Sequence, residues 1–552
     1  MRLPRREALR LLLGGAAAAA LSGCPRPGAR RPGAAPAVQV PPAGRIWGDD
    51  AELGHLLRSG ALRQQAPARE VAVDLLVIGA GVAGLACAWR ACRDGLDDVL
   101  LVDAGEVPGG NARGGRNEVS PFPWGAHYLR APTAEHPALE RFLEEAGLVR
   151  GRDARGRIDW DTRAVCPAPH ERLWAGGLWS EHLFPPPVGA TPDDLQQFTR
   201  FQAALDGFAA RRGADGRRAF ALPVDASSRD PALLALDRLS MAEWLEREGL
   251  TAPALRWYVE YACRDDYGCT LADTSAWAAL HYFTARESDD PTRDVTLTWP
   301  EGNGRLVDLL RAAAPRARFE GRALCVRVEP GAAPGRPSTA LVYHAASREV
   351  VRYVAGQVVW AAPRFVLGRV LDAPPADLEA FTYAPWLVVN VTLDEPPAGA
   401  GAPLCWDNVF YGEPSLGYVV ANRGAPPGAP CVVTWYRPLA EEPPAAARAR
   451  LLALDHAGVV DLVLGELLEV HPTLAGKVRS VDAWRWGHAM IRPTPGFIWG
   501  PARAAALSRS DALLCANSDL SGVPVFEEAF YRGVVAGEEA LRRGGRAFES
   551  LL

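Results

Sequence analysis

The chain has 552 residues, 48% of them apolar and 23% charged, with 60 basic and 65 acidic side chains giving a formal charge of −5. That length exceeds what one simple core organises and predicts two or more domains. No basic stripe follows Arg31, which excludes nucleic acid as a partner. Arginine carries almost all the positive charge, because Lys477 is the only lysine. Residues 1–24 open on Arg5-Arg6 and an apolar run over 9–21 that is shorter than the about 20 residues a membrane span needs. Residues 25–70 are rich in Pro, Ala, Gly and Arg and read as a tether. Within it AELGHLLR (51–58) has the spacing of a short amphipathic helix that docks on the body. If the tether folds back, His55 and Arg58 reach the site.

Beyond the tether, apolar strands alternate with helical segments over 71–149. Residues 150–295 read as mainly helical, 296–371 as strands again, and 372–480 as a mixed region. A last strand, turn and helix fall within 481–552. The predicted class is α/β, a doubly wound, discontinuous Rossmann-like domain in three segments with an interleaved α+β substrate domain in two. Cys263 and Cys269, in YACRDDYGC, either close a small loop by disulfide outside the cytoplasm or stay reduced because the chain is exported folded. No CxxC and no Cys/His cluster at zinc spacing occurs, so no metal is predicted.

DLLVIGAGVAGLACAW places Gly79, Gly81 and Gly84 as GxGxxG after a strand and at the start of a helix. The first glycine allows a tight turn, the second lets backbone approach a pyrophosphate, and the third lets helix and strand pack closely. VLLVD then ends the next strand on Asp103, nineteen residues after Gly84, where a carboxylate can accept both ribose hydroxyls. Gly109 and Gly110 follow in AGEVPGGNARGG.

This arrangement resembles the flavin-dependent amine oxidase superfamily, which also contains phytoene desaturases and protoporphyrinogen oxidases. The resemblance implies FAD, with Gly109-Gly110 against the diphosphate. Asn111 stands where the family has arginine, and Arg113 is the nearest cation. WGAHYL resembles the family's segment beside the flavin, with Gly125 and Ala126 giving close approach and His127 and Tyr128 nearby. TWPEGNGRLVDLLR resembles its Pro-x-Gly helix start. GRALCVRVEP resembles its adenine-flanking strand, with Cys325 and Val328 in the usual places. LLCANSDLSGVPVFEEAFYRG resembles its C-terminal motif, which makes Asp519 the acid on the ribityl or diphosphate oxygens. Val525 and Phe526 there begin a helix aimed at the ring, and Glu528 replaces a family glycine.

The resemblance implies an oxidoreductase that takes a hydride from an organic substrate onto flavin N5, by amine oxidation or carbon–carbon desaturation. Catalytic candidates are His127, Tyr128, Tyr267 in CRDDYG, and Trp486 and His488 in WRWGHAM, with Trp484 as further lining. Asp265-Asp266 would bind a cationic amine or sit solvated in a turn. Lys477 lies outside the matching motifs, which disfavours the lysine-dependent oxidases. Oxygen or an envelope electron carrier would be the acceptor. The alternative is a non-catalytic lipid- or partner-binding protein on the same scaffold, as in the Rab GDP-dissociation inhibitors. Arg5-Arg6 resembles a twin-arginine signal, and Leu21-Ser22-Gly23-Cys24 resembles a lipobox. Together they predict a folded, cofactor-loaded protein exported to the bacterial envelope and attached to membrane only by lipid on Cys24.

Overall fold

The computed structural model describes residues 42–48, 51–186, 188–331, 333, 336–426, 428–508 and 513–552. The export signal, Cys24 and most of the tether lie outside them.

Two sheets organise the chain. In the first, seven strands run in the order Arg318–Glu320, Val99–Val102, Arg69–Ile78, Glu349–Trp360, Ser338–His344, Ala323–Glu329, with Leu513–Cys515 also paired to Glu349–Trp360. The strands up to Glu349–Trp360, and Leu513–Cys515, are parallel, whereas 323–360 forms an antiparallel meander. The last four residues of Arg69–Ile78 are all buried, as a parallel strand covered on both faces requires. Helix Val82–Arg93 covers one face and buries every residue but its last. Helix Phe526–Arg543 lies against it at close range, because Gly533 and Gly537 lack side chains there. A Cβ on Gly533 would sit 2.2 Å from Ala83 O.

The second sheet has eight strands, in the order Ile46–Gly48, Val478–Ile491, Tyr383–Leu393, Cys431–Pro438, Tyr418–Val420, Asp407–Phe410, Glu171–Ala175, Leu178–Glu181. Helices Pro192–Ala210, Pro253–Tyr267 and Ala276–Thr284 pack together in the same half. Helix Pro253–Tyr267 has proline in its first turn and the left-handed Gly268 (φ 61°) after its last residue, the usual start and stop chemistry.

Several expected boundaries move. Residues 150–295 are not helical from the outset: Val149–Arg152, Ile158–Trp160, Glu171–Ala175 and Leu178–Glu181 are strands, the last two completing the eight-stranded sheet. Strand Val478–Ile491 belongs wholly to that sheet, so the second substrate segment ends near 491 rather than 480. The predicted docking helix forms as Ala51–Ser59, and Arg69 already begins the first nucleotide strand. Cys263 and Cys269 are buried free thiols, so the small-loop disulfide is not formed. Cys269 Sγ instead accepts a hydrogen bond from Arg492 Nε at 3.3 Å.

Candidate functional site

The nucleotide end lies where the parallel strands reach their C-terminal ends, the usual ligand crevice of such sheets. Gly79 has φ 105°, and a Cβ there would lie 2.7 Å from Ala361 backbone. A Cβ on Gly84 would meet Gly79 O at 1.9 Å, whereas one on Gly81 would meet nothing nearer than Gly110 Cα at 4.0 Å. Gly79 and Gly84 are therefore demanded by the turn itself, and the space over Gly81 is left for something else. Gly81 caps the helix with no side chain bonded to its first amides, so the helix N-terminus is open to an anion. Gly109 N–H donates to Ala80 O at 2.8 Å, joining the second glycine pair to the first turn.

Asp103 accepts from the N–H groups of Ala80 and Gly105, both at 2.7 Å. Burial raises its carboxyl above the usual range, against the pull of those two amides and of Arg113. Arg113 is itself buried, donates to Gly110 O at 3.2 Å, and lies over the Trp484 and Trp486 rings at 4.9 and 5.5 Å. Asn111 donates to Ala489 O, tying the loop to the eight-stranded sheet. Cys325 and Val328 are buried in the strand Ala323–Glu329. Burial pushes the Cys325 thiol up to about 12, so it is unreactive. Asp519 is buried beside the end of strand Leu513–Cys515, accepts from Arg364 N–H at 2.8 Å and Tyr383 OH at 2.5 Å, and has its carboxyl pushed up to about 6 by burial.

A second, aromatic cavity adjoins this groove. Gly125, Ala126, His127, Tyr128, Asp265, Asp266, Arg286, Asn303, Trp386, Tyr436, Trp486 and the 524–527 turn line it. A Cβ on Gly125 would lie 2.3 Å from Asn111 O, which explains why glycine stands there. His127 Nδ1 lies 3.1 Å from Gly125 O. That carbonyl only accepts, so Nδ1 carries the proton and Nε2 is the acceptor. Burial pushes the ring's pKa down to about 4. Trp406 and Tyr436 flank it at 5.6 and 5.0 Å between ring centres. Tyr128 OH lies 3.4 Å from Asp266 Oδ1; Arg286 reaches Asp266 at 3.3 Å and Glu527 at 3.1 Å. Asp265 has no hydrogen-bond donor among the described residues. Burial, then its neighbours Asp266 and Asp407, hold its carboxyl well above the usual range. Val525 and Phe526 line the cavity at the start of helix Phe526–Arg543, whose first amides also lack a side-chain cap. Glu528 turns away to accept from Val224 N–H at 2.6 Å.

Three sequence candidates fall elsewhere. Tyr267 is fully buried and donates to Ala278 O at 2.8 Å, a core contact rather than a cavity wall. His488 stacks on Phe365 at 4.4 Å. It turns away because the strand bulges: Ala384 pairs with Met490 but Trp386 with Trp486, so residues 487–489 face Pro385 alone. Pro385 has no N–H for the ladder. Trp484 stacks on Trp486 at 5.1 Å and meets Trp124 at a tilt, 5.3 Å between ring centres, and is not among the residues that line the cavity. Asp265-Asp266 are not in a solvated turn but end a helix, facing the cavity. Lys477 is on the surface, paired with Glu395 at 2.6 Å. Trp406, Tyr436, Asp407, Arg286 and Glu527 were missed by sequence reasoning. Only Glu527, next to Phe526 in the C-terminal motif, had a local signal.

Fold and site together define a Rossmann-like α/β protein with an aromatic cavity that reaches Asn111, next to the Gly109-Gly110 pair. A sequence model of the NAD(P)-binding Rossmann-like domain matches residues 77–146. Among solved structures, putrescine oxidase bound to putrescine superposes with a TM-score of 0.62 at 16% identity, covering 86% of this chain and all of that one. Cyclohexylamine oxidase from Brevibacterium oxydans gives 0.60 at 15% identity, covering 86% and 100%. A putative protoporphyrinogen oxidase from Exiguobacterium gives 0.57 at 16%, covering 87% and 100%. The chain has the fold of these oxidases. A probable electron transfer flavoprotein-quinone oxidoreductase of Escherichia coli K12 is 54% identical over 44 residues, 8% of this chain and 10% of that protein's length.

Proposed function

We propose that the protein is an FAD-dependent oxidoreductase that oxidises a small organic amine. The residues fit the cofactor: there is open space over Gly81, two uncapped helix N-termini flank the groove, and Asp103 and Asp519 lie along it. The turn Gly79–Gly84 with Gly109-Gly110 would hold the diphosphate, Asp103 the adenosine ribose, and Asp519 the ribityl chain. Gly125, Ala126 and the start of helix Phe526–Arg543 would adjoin the ring. When bound, the flavin supplies an acceptor for a hydride from the carbon beside the substrate nitrogen.

Asp265 carries the amine reading over desaturation. Its neighbour Asp266 is neutralised by Arg286, but Asp265 faces an aromatic cavity with no donor. An alkylammonium would satisfy it. Burial keeps Asp265 protonated when no cation is bound. A bound alkylammonium would favour its ionised form, the displaced proton going to solvent, and the carboxylate so formed would be a competent base. It would take the ammonium proton and leave the nitrogen lone pair to assist hydride departure. His127, neutral at physiological pH, would accept a hydrogen bond through Nε2 rather than take the proton. Tyr128, Trp406 and Tyr436 would orient the alkyl part and exclude water. Export as a lipid-anchored envelope protein, with oxygen or an envelope carrier as acceptor, remains part of the proposal and rests on Arg5-Arg6 and Cys24.

Anaerobic addition of short primary amines to the FAD-loaded protein should bleach the flavin's visible absorbance, whereas isoprenoid or tetrapyrrole precursors should not. Asp265→Asn should lower kcat/KM for amines by about 100-fold or more with FAD content unchanged. Bleaching by an isoprenoid but not by amines would replace this reading with desaturation. A colourless protein that cannot be reconstituted with FAD would leave the non-catalytic binder.

A further inference from the structure

Four tryptophans stand in an unbroken row from the aromatic cavity to the surface. Trp486 lines the cavity with Gly125 and Ala126. Its ring stacks on Trp484 at 5.1 Å between centres, Trp484 meets Trp124 at 5.3 Å, and Trp124 meets Trp47 at 6.0 Å. The inner three are buried, whereas Trp47 is 37% exposed.

The strands set this row. Trp484 and Trp486 are two apart in strand Val478–Ile491, so both project from one face of the eight-stranded sheet. Ile46–Gly48 pairs in parallel with that strand, with Trp47 opposite Trp484 in register, which puts the Trp47 side chain on the same face. Trp124, directly before Gly125, packs there too, and its carbonyl accepts from Trp486 Nε1 at 2.6 Å. The segment that follows the tether thus adds an outer member to a row that would otherwise end in the interior.

The indole N–H groups differ along the row. That of Trp484 has no acceptor among the described residues, and that of Trp486 meets a backbone carbonyl, which cannot take a proton away. That of Trp47 donates to the Asp482 carboxylate at 3.1 Å. Indole gives up an electron more readily than almost any other side chain, and once oxidised it becomes a strong N–H acid. An oxidised Trp484 or Trp486 stays cationic, with the Arg113 guanidinium over the rings at 4.9 and 5.5 Å, a like charge that disfavours it. Arg45 lies over the Trp47 ring at 3.4 Å and disfavours a cation there as well, but Trp47 can pass its proton to Asp482 and become neutral.

We infer that Trp486, Trp484, Trp124 and Trp47 form a path along which an electron vacancy made in the cavity runs to the surface, where a small one-electron reductant fills it. The oxidant is flavin excited by blue light, so the inference rests on the FAD assignment above. Trp486 gives one electron to the flavin, the vacancy passes outward through Trp484 and Trp124, and Trp47 releases its indole proton to Asp482. A surface reductant, ascorbate in the test, then returns one electron to Trp47 as Asp482 returns the proton. The flavin has gained one electron and ascorbate has lost one.

The test flashes the FAD-loaded full-length protein with blue light and follows tryptophan-radical absorbance. Wild type should form a long-lived neutral radical whose lifetime ascorbate shortens. Trp47→Phe should lose that signal, leaving only a short-lived cationic radical insensitive to ascorbate. Trp47 is exposed, so an unchanged melting temperature and flavin content check that this variant is folded. Trp484→Phe should lose the long-lived signal too; if it melts early, Trp47→Phe decides alone. In Asp482→Asn the radical should keep its proton and absorb as the cation. A neutral, ascorbate-sensitive radical that survives in Trp47→Phe would overturn the path and leave the cofactor assignment standing. Wild type that holds flavin but forms no tryptophan radical would do the same. Deprotonation at the wild-type rate in Asp482→Asn would overturn Asp482 as the proton's destination. A chain that holds no flavin would overturn both the path and the cofactor assignment.

Discussion

At the nucleotide end, Gly79, Gly81, Gly84, Gly109 and Gly110 present backbone from one short stretch of chain. At the cavity end, His127, Asp265, Arg286, Tyr436, Trp486 and Glu527 converge from six separate segments. The first region is shaped by where a Cβ cannot go. The second is shaped by burial, which lowers His127 and raises Asp265, Asp266 and Asp407. A site built of backbone fails sterically and all at once. One built of side chains shifts in its proton equilibria while the fold stands.

Gly84→Val would break the comparison most severely. Its Cβ would lie 1.9 Å from a carbonyl oxygen inside a packed turn, so a destabilisation of about 4 kcal/mol or more is expected. Flavin retention should be lost with it. Purified protein with normal flavin content and an unchanged melting temperature would refute the steric account.

Asp407→Asn should have a smaller effect, and one visible only as a function of pH. Tyr436 OH donates to Asp407 at 3.2 Å, and burial lifts its carboxyl from 3.8 to about 8, with Glu171 adding to the rise. The native state therefore holds a proton that the unfolded chain releases between about pH 4 and pH 8. Stability should fall as pH rises through that window, by roughly 2–4 kcal/mol from this group. Asparagine should flatten that slope in a series of denaturant melts. A slope as steep as wild type would place the proton elsewhere.

Lys477→Met should do least. The Lys477–Glu395 pair is over a third exposed on both sides and contributes less than about 1 kcal/mol. No change in amine turnover is expected, whereas a large loss would revive a lysine-dependent mechanism.

The nucleotide end was legible because its signal is local: glycines at fixed spacing after a strand, then an acid at the end of the next. Asp519 and Phe526 were legible for the same reason. The cavity was legible only in part. Asp265 stood out as half of an acidic pair, but its place at the end of a helix, where the dipole disfavours a carboxylate, needed the tertiary structure. Tyr436 and Trp406 sit in ordinary alternating strands, and nothing nearby marks them. His488 misled because strict alternation from Trp484 and Trp486 points it inward. Pro385 on the partner strand breaks that alternation, and no reading of WRWGHAM alone reveals it.

The nucleotide sheet is assembled from segments far apart in the chain, and this constrains how the protein matures. Strand Leu513–Cys515 and the glycines of helix Phe526–Arg543 are made long after strand Glu349–Trp360 and helix Val82–Arg93, yet they pack against them. A nascent chain on the ribosome holds the first glycine turn hundreds of residues before the partner that closes over it. Until then the early helix exposes an apolar flank to chaperones and neighbouring chains. Cofactor capture is thus a late event, and prematurely terminated products should be colourless and cleared by proteolysis.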